Sequence, residues 1–403
     1  MAKTIHFKKG IRKINILFVS DLTLDVDLHK TRELELLKAL ADRGHNATLV
    51  ASTSRSKFLI RDPRIKLLSF PIRQAPIIPR IVYSAILFFL LPIYIIIRKP
   101  NFVVMDPEMY LISSIPTILV SRLLRTKFVL DIKSKPVEVR GLRGRLFEFG
   151  FNVSIVVAKQ LFQGMTVITS MMKSEICNKF QVDQHNVGVW TSGVPVDIFN
   201  PRISFGESRK LRKEYGLTEK FIVFYHGVFS ATRGLVETLD ALSIVNQKYP
   251  QVVCFLLGTG PAVSELEKQI QQKGLQNNVV IHKPVSYEEV PKFIGLSDVC
   301  IVPLPNNSYW NFQSPMKLLE YLSMEKVVLA TDIPAHRVVM SNEKCCIYLR
   351  SVDPVEIAKS IEYAYINEGS LIDWGKIGPE IVERKYTWNK VAEEVEHFLH
   401  SIN

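Results

Sequence analysis

Two hydrophobic periodicities take turns along the chain. Short apolar runs rich in β-branched and aromatic residues, "KINILFVS", "ATLVAS", "IKLLSF", "FVVMD", "KFVLDI", "MTVITS" and "NVGVW", are separated by segments with helical spacing, such as His29 to Arg43 and Arg143 to Phe162. Strands that alternate with helices predict a parallel sheet covered by crossover helices. The polar, turn-rich stretch "SGVPVDIFNPRISFGESRKLRKEYGLTEK" breaks the alternation, which then restarts with "FIVFYHG", "VVCFLLG", "NVVIHKPV", "DVCIVPL", "KVVLATD" and "CIYL". The expectation is an α/β chain of two doubly wound domains, residues 1–200 and 201–375. A last amphipathic segment, 376–403, contains "YTWNKVAEEVEHFLHSI" and is expected to pack back across the domain junction. Ligands of such sheets bind at the carboxyl ends of the strands, here in the cleft that the two domains would face.

One segment departs from the alternation. Ile81 to Ile97, "IVYSAILFFLLPIYIII", carries no charge over nearly the length that spans a bilayer, with Arg80 before it and Arg98 and Lys99 after it. A helix covering a sheet, a helix lying in a membrane interface and a true span are all open, although a span would interrupt the strands on either side. In the interfacial reading Leu87, Phe88 and Leu91 meet lipid.

The chain has 403 residues, 47% of them hydrophobic, which is enough for two sizeable cores. Its formal net charge of +12 implies an anionic partner: nucleic acid, an acidic membrane surface or a phosphorylated substrate. Nucleic acid is disfavoured, because the basic residues are spread, aromatic residues are not interleaved with them and no reader motif appears. Arg73, Arg80, Arg98, Lys99, Arg122, Arg125, Lys127, Arg140, Arg143 and Arg145 all fall in the first domain and suit an anionic membrane surface. The five cysteines have no metal-ligand spacing and lie mostly in apolar runs, as expected of free thiols in a reducing compartment. Cys345 and Cys346 are adjacent, either as a redox pair or simply as packed thiols. The basic start has no small-residue cleavage site, so no signal peptide is expected and the protein is placed in the cytoplasm, peripheral on the membrane.

Three stretches of the second half carry candidate chemistry. In "YHGVFSATRGL" a strand ends at Gly227, and Arg233 and Gly234 open a helix, an arrangement whose backbone N–H groups can cradle an anion. In "LLGTGP" the strand ends with Gly258 and Gly260, leaving room for close approach. In "NFQSPMKLLEYLSM" Ser314 is expected to cap a helix with Pro315 at its first position, so Lys317 stands in the first turn, where the helix dipole favours negative charge. Either Lys317 snorkels into water or an anion offsets it. Ser314, Lys317 and Glu320 are spaced by three, giving a cap, a cation and a carboxylate on one face, a set that suits a diphosphate followed by a ribose diol. No glycine fingerprint opens the first domain, which argues against a nicotinamide cofactor.

These stretches, with "SYEEVPKFIGLSDVCIVPL" between them, resemble the donor domain of GT-B glycosyltransferases, in particular the large family 4 of retaining enzymes. "LADRGHNATLV", "VWTSGVPVDIFNP" and "YTWNKVAEEV" are weaker echoes. The resemblance implies two Rossmann-like domains and transfer of a sugar from a nucleotide-diphosphate donor with no cofactor and no metal. By position Arg233 matches the basic residue that holds the donor diphosphate, and Glu320 the second glutamate of a paired motif that binds the ribose. Three departures stand out: Phe312 takes the place of the first glutamate, Val228 that of an arginine, and the acceptor-side glycine pair is missing. Lys317 would restore the cation lost at Val228. In the first domain Asp131, and likewise Asp106 and Glu108, end strands and either meet the sugar or acceptor or merely cap helices. The partners implied are a nucleotide-sugar donor and a lipid-linked or glycan acceptor. A catalytically degenerate subunit that binds a nucleotide sugar or a partner is the alternative.

Overall fold

In the computed structural model, which describes residues 13–24, 30–54, 62–72, 77–107, 110–136 and 141–402, every one of the predicted apolar runs is a strand and every strand pair is parallel. Arg73, Glu108 and Arg140 lie outside the described residues, as do the side chains of Arg80 and Arg143. The contacts divide the chain into two compact units, residues 1–192 with 388–403, and residues 193–387.

The first unit holds β1 (Asn15–Thr23), α1 (Lys30–Asp42), β2 (Asn46–Ser52), β3 (Lys66–Phe70), α2 (Ile77–Arg98), β4 (Phe102–Met105), α3 (Tyr110–Leu124), β5 (Lys127–Ile132), α4 (Gly141–Leu161), β6 (Gly164–Val167), α5 (Ser170–Phe180) and β7 (Val187–Val189). The strand order is β3-β2-β1-β4-β5-β6-β7, so the direction of winding reverses between β1 and β4. Right-handed crossovers then put α1 on one face of the sheet and α2 to α5 on the other. The closing helix, Trp388–Ser401, joins α1 on its face: Arg43 Nε donates to Glu396 Oε2 at 2.7 Å, and the Phe398 ring lies where a Cβ on Gly188 of the edge strand would be, 2.5 Å away.

The long apolar segment is α2, and the helix runs through Pro92. Tyr83, Leu87, Leu91 and Ile95, four residues apart, form a stripe at most 3% exposed, so one side of the helix is seated on the sheet. This corrects the assignment of Leu87 and Leu91 to a lipid-facing side, since the fourfold spacing turns both inward. The outward side is Val82, Phe89, Leu90, Ile93, Ile96 and Ile97, with Phe89 and Ile97 each 68% exposed. α3 and α4 continue the same kind of surface: Leu123 is 86% exposed and Phe149 67%.

The second unit holds α6 (Pro201–Glu214), β8 (Phe221–Val228), α7 (Leu235–Asn246), β9 (Val252–Thr259), α8 (Val263–Gln272), β10 (Val279–His282), α9 (Val290–Gly295), β11 (Val299–Val302), α10 (Met316–Ser323), β12 (Val327–Thr331), α11 (Pro334–Met340), β13 (Cys346–Leu349), α12 (Pro354–Ile366), α13 (Glu368–Gly375) and α14 (Ile377–Lys385). Its order, β10-β9-β8-β11-β12-β13, reverses between β8 and β11. β9, β11 and β12 are almost wholly buried, as their unbroken apolar runs require of strands covered on both faces. All five cysteines are buried free thiols.

Candidate active site

In the second unit the loops leaving β8, β9 and β11 meet at the point where strand order reverses. Gly234 caps α7 in the left-handed region (φ 68°), and a Cβ there would stand 2.1 Å from the Pro303 carbonyl oxygen just past β11. Gly258, at the end of β9, packs so closely that a Cβ would lie 1.9 Å from the Gly227 carbonyl oxygen. Only glycines let these backbones come together.

Lys317 reaches into this place. α10 begins at Met316 with Pro315 as its cap residue, whose own side chain makes no capping hydrogen bond. The expected cap at Ser314, with Pro315 as the first helical residue, is therefore corrected: the helix starts one residue later, and Pro315 has an extended ψ of 93°. The lysine does not snorkel outward. Its Nζ lies 4.0 Å from the centre of the Tyr225 ring and donates to the Tyr225 hydroxyl at 2.8 Å, which in turn donates to the Val228 carbonyl oxygen. A Cβ on Gly227 would be 3.2 Å from that Nζ. The lysine thus stands beside the residue where the sequence comparison misses an arginine.

Arg233 lies 5.0 Å over the ring of Trp310, whose Nε1 donates to the Thr232 carbonyl oxygen. It also acts on the ionisation of the Tyr225 phenol, which burial pushes upward. Burial first, then repulsion from Arg233, hold the Lys317 ammonium well below its ordinary pKa, against the pull of Glu320. Two basic side chains are thus gathered on aromatic supports rather than on carboxylates, and an anion placed between them would relieve their repulsion and raise the lysine's pKa.

Glu320 is 3% exposed and doubly held: Oε2 is 2.9 Å from His226 Nε2, and Oε1 accepts from the Tyr287 hydroxyl at 2.9 Å. His226 Nδ1 and its backbone N–H both meet the Tyr321 hydroxyl at 3.0 Å. Each carboxylate oxygen keeps a second lone pair for another donor. Nearby, His336 is fully buried with Nδ1 2.7 Å from the Thr331 carbonyl oxygen, and burial lowers its pKa to about 4, so it is neutral at pH 7.

Asp131 lies in the other unit, at the end of β5, and is 1% exposed. Its Oδ1 accepts from Thr166 Oγ1 at 2.8 Å and from Trp190 Nε1 at 2.9 Å. Around it, at the carboxyl ends of β1, β4 and β5, Lys133 pairs with Glu33 and with Asp106 (2.7 Å), and Ser20 Oγ lies 2.9 Å from Glu33 Oε1 and 3.1 Å from Asp106 Oδ2. Burial raises Asp131 to about 6, opposed by Arg32 and by the Thr166 and Trp190 hydrogen bonds.

Of the residues singled out from sequence, Gly227, Arg233, Gly234, Gly258, Lys317 and Glu320 all belong to this end of the second unit, with Ser314 and Pro315 just before α10. Sequence reasoning missed Tyr225, His226, Tyr287, Trp310 and Tyr321. A histidine within the apolar run "FIVFYHG" was the one signal on offer. The cation shared with Glu33 and Asp106 was equally hidden, because Lys133 follows Asp131 by only two residues and reads as an ordinary strand-end lysine.

A family model described as glycosyl transferases group 1 matches residues 207–380. The chain is 28% identical over 124 residues to the alpha-D-kanosaminyltransferase of Streptomyces kanamyceticus, which covers 31% of each protein. It is 22% identical over 312 residues to an uncharacterized glycosyltransferase of Methanocaldococcus jannaschii, 73% of this chain and 67% of the relative. The matches thus span about a third to two thirds of these relatives' lengths. Among solved structures, Anabaena HepE in complex with UDP and glucose superposes with a TM-score of 0.75 at 15% identity, covering 96% of this chain and 99% of HepE. Residues 207–380 are thus similar to the group 1 glycosyl transferases, and the chain as a whole has the two-sheet fold of the GT-B glycosyltransferases.

Proposed function

We propose that the protein is a retaining glycosyltransferase that moves a sugar from a nucleotide-diphosphate donor to a lipid or lipid-linked glycan at the cytoplasmic face of a membrane. The observation that carries the donor half is the pair Arg233 and Lys317, held by an indole and a phenol at the reversal point of the second sheet. As the bond from the sugar to the diphosphate lengthens, charge moves onto the leaving oxygens. Lys317, Arg233 and the N–H groups opening α7 face that charge, each preorganised donor contributing about 2–4 kcal/mol. The carboxylate of Glu320, deeper along α10, suits the ribose diol. Configuration is kept if the acceptor hydroxyl enters on the face the diphosphate leaves. UDP is the first nucleotide to try, since HepE binds it.

The membrane half rests on the face of the first unit covered by α2, α3 and α4. Ile93, Ile97, Leu119, Leu123, Phe149 and Val156 all lie outward there, more apolar surface than an isolated domain ordinarily exposes. Arg98 and Lys99 at the end of α2, and Arg122 and Arg125 at the end of α3, stand at the same edge of the sheet, because successive crossover helices run the same way. Apolar groups bordered by four cations suit an anionic leaflet, at about 1 kcal/mol of attraction per basic residue.

The test is release of free nucleotide from a panel of nucleotide sugars, with and without lipid acceptors. Release that requires a lipid acceptor is expected. Binding of nucleotide sugar without release under any condition favours the degenerate, non-catalytic subunit. Flotation with anionic liposomes tests the membrane half: wild type is expected to co-float in low salt, and Phe89, Ile93 and Ile97 replaced together by serine to stay at the bottom. A wild type that never floats assigns the acceptor to solution.

A further inference from the structure

The charged cluster of the first unit contains an imbalance that its own residues do not repair. Lys133 serves Glu33 and Asp106 together. Arg32 and Asp131 are left as opposite charges close enough to act on each other's ionisation. Arg32 stacks 4.3 Å over the Trp190 ring, yet its Nε and Nη2 are covered and have no hydrogen-bond partner. Asp131, 1% exposed, has no hydrogen-bond partner on Oδ2, whose nearest cation, Lys133 Nζ, stands 3.9 Å away, beyond hydrogen-bond reach. Oε2 of Glu33, 3% exposed, is a fourth covered atom in the same condition, on a third residue. Buried polar atoms without partners each cost about 1–3 kcal/mol, so three residues in one place mark a site made for a group that arrives from outside.

Place and charge say what that group is. The residues surround the carboxyl ends of β1, β4 and β5, and the order of the first sheet reverses between β1 and β4, where ligands of doubly wound sheets bind. A phosphate or carboxylate would meet Glu33, Asp106 and Asp131. A metal ion would meet Arg32 and Lys133, and among the described residues no group of three His, Cys, Asp or Glu side chains is arranged to hold one. A neutral hydroxyl both donates and accepts, so a single one can accept from Arg32 while donating to Asp131 Oδ2. A second hydroxyl on the same molecule can donate to Glu33 Oε2.

We propose that Arg32 and Asp131 bind a hydroxyl of a sugar or polyol at the carboxyl ends of β1, β4 and β5, with Glu33 taking a second hydroxyl of the same molecule. Thr166 and Trp190 fix Asp131 Oδ1 so that Oδ2 stays turned to the ligand, and Trp190 also carries Arg32, so both halves of the clamp hang on one side chain. Resting on the glycosyltransferase reading, this makes the acceptor's recognised part an uncharged sugar ring or polyol rather than a phosphate.

The experiment uses the full chain and simple probes: methyl α-glucoside, methyl α-mannoside, methyl α-galactoside and glycerol, observed by saturation-transfer NMR, with UDP titrated in parallel. At least one glycoside is expected to bind, at least tenfold more weakly to Arg32→Ala and to Asp131→Asn, while UDP binds all three proteins alike. Arg32→Lys keeps charge and packing but loses the planar fork, and is expected to weaken the glycoside without moving the melting temperature. Glycoside binding unchanged in Arg32→Ala and Asp131→Asn overturns the site and leaves a structural cluster filled by water. So does the absence of any glycoside signal where UDP still binds. Loss of UDP binding in wild type with the glycoside response intact would sink the donor assignment and leave this one standing.

Discussion

The two sheets reverse their winding in the same way, yet the residues at the two reversal points are opposites. At β8 and β11 glycines bring backbone close, and two cations rest on aromatic rings without a carboxylate of their own. At β1 and β4 three carboxylates and two cations nearly neutralise one another, with side chains instead of glycines at the strand ends. On the proposed readings, two basic side chains that repel each other call for an anion, and a nearly compensated cluster with a few polar atoms left over calls for hydroxyls. The fold is repeated and the chemistry is not.

That contrast can be broken in order of expected effect. Gly234→Ala puts a methyl group 2.1 Å from a carbonyl oxygen at φ 68°, and should remove on the order of 3 kcal/mol or more of stability, whereas Gly141→Ala, at φ 75° with nothing within 4 Å, should lose about 1. Thermal unfolding of the two variants side by side measures the backbone approach itself, and equal losses would mean that the loops can part.

The first unit's cluster predicts a pH effect. Asp131 titrates near 6 when folded against an ordinary 3.8, so between these values the folded state holds the extra proton. Stability should fall as pH rises from about 4 to about 6, by at most about 3 kcal/mol, and level off above. Asp131→Asn removes that slope. Denaturant titrations across the interval check it, and a wild type as flat as the variant would refute the buried charge.

Glu320→Gln probes the second unit in the same terms. Since the carboxylate holds both His226 and Tyr287, the free protein should lose about 1–3 kcal/mol before any ligand is added. An unchanged melting temperature with weakened nucleotide binding would instead make it a ligand contact alone. Lys317→Ala should do the reverse: turnover falls tenfold or more, about 1.4 kcal/mol, while the melting temperature stays level or rises because Arg233 loses a repelling neighbour. A wild-type rate would remove the lysine from the donor site.

Both sheets were legible in the sequence because buried parallel strands read as unbroken apolar runs, and each run proved to be a strand. The cations of the second unit were legible for a related reason. Arg233 sits beside a glycine that opens a helix, and Lys317 stands where a helix disfavours it, so local rules expose both. What they could not reveal was support from a distance. His226 reaches Glu320 across 94 positions and Lys317 meets Tyr225 across 92, which no spacing rule connects. The cap at Ser314 failed for a local reason, since a proline between cap and helix can itself become the cap residue. Leu87 and Leu91 were misassigned because an all-apolar helix hides which side is inner until the sheet beneath it is known.

The return of the last helix to the first unit has a consequence for how the protein is made. Residues 388–403 leave the ribosome after the whole second unit, yet Glu396 is the partner of half-buried Arg43 and buried His45, Lys127 Nζ donates to the Ile402 carbonyl oxygen, and Phe398 fills the space over Gly188. Until then α1 presents an uncovered flank and the edge strand β7 an unfilled glycine. The first unit to be synthesised is thus the last to be completed, and through that interval it depends on its own incomplete packing, or on a chaperone, to keep the open flank from other chains.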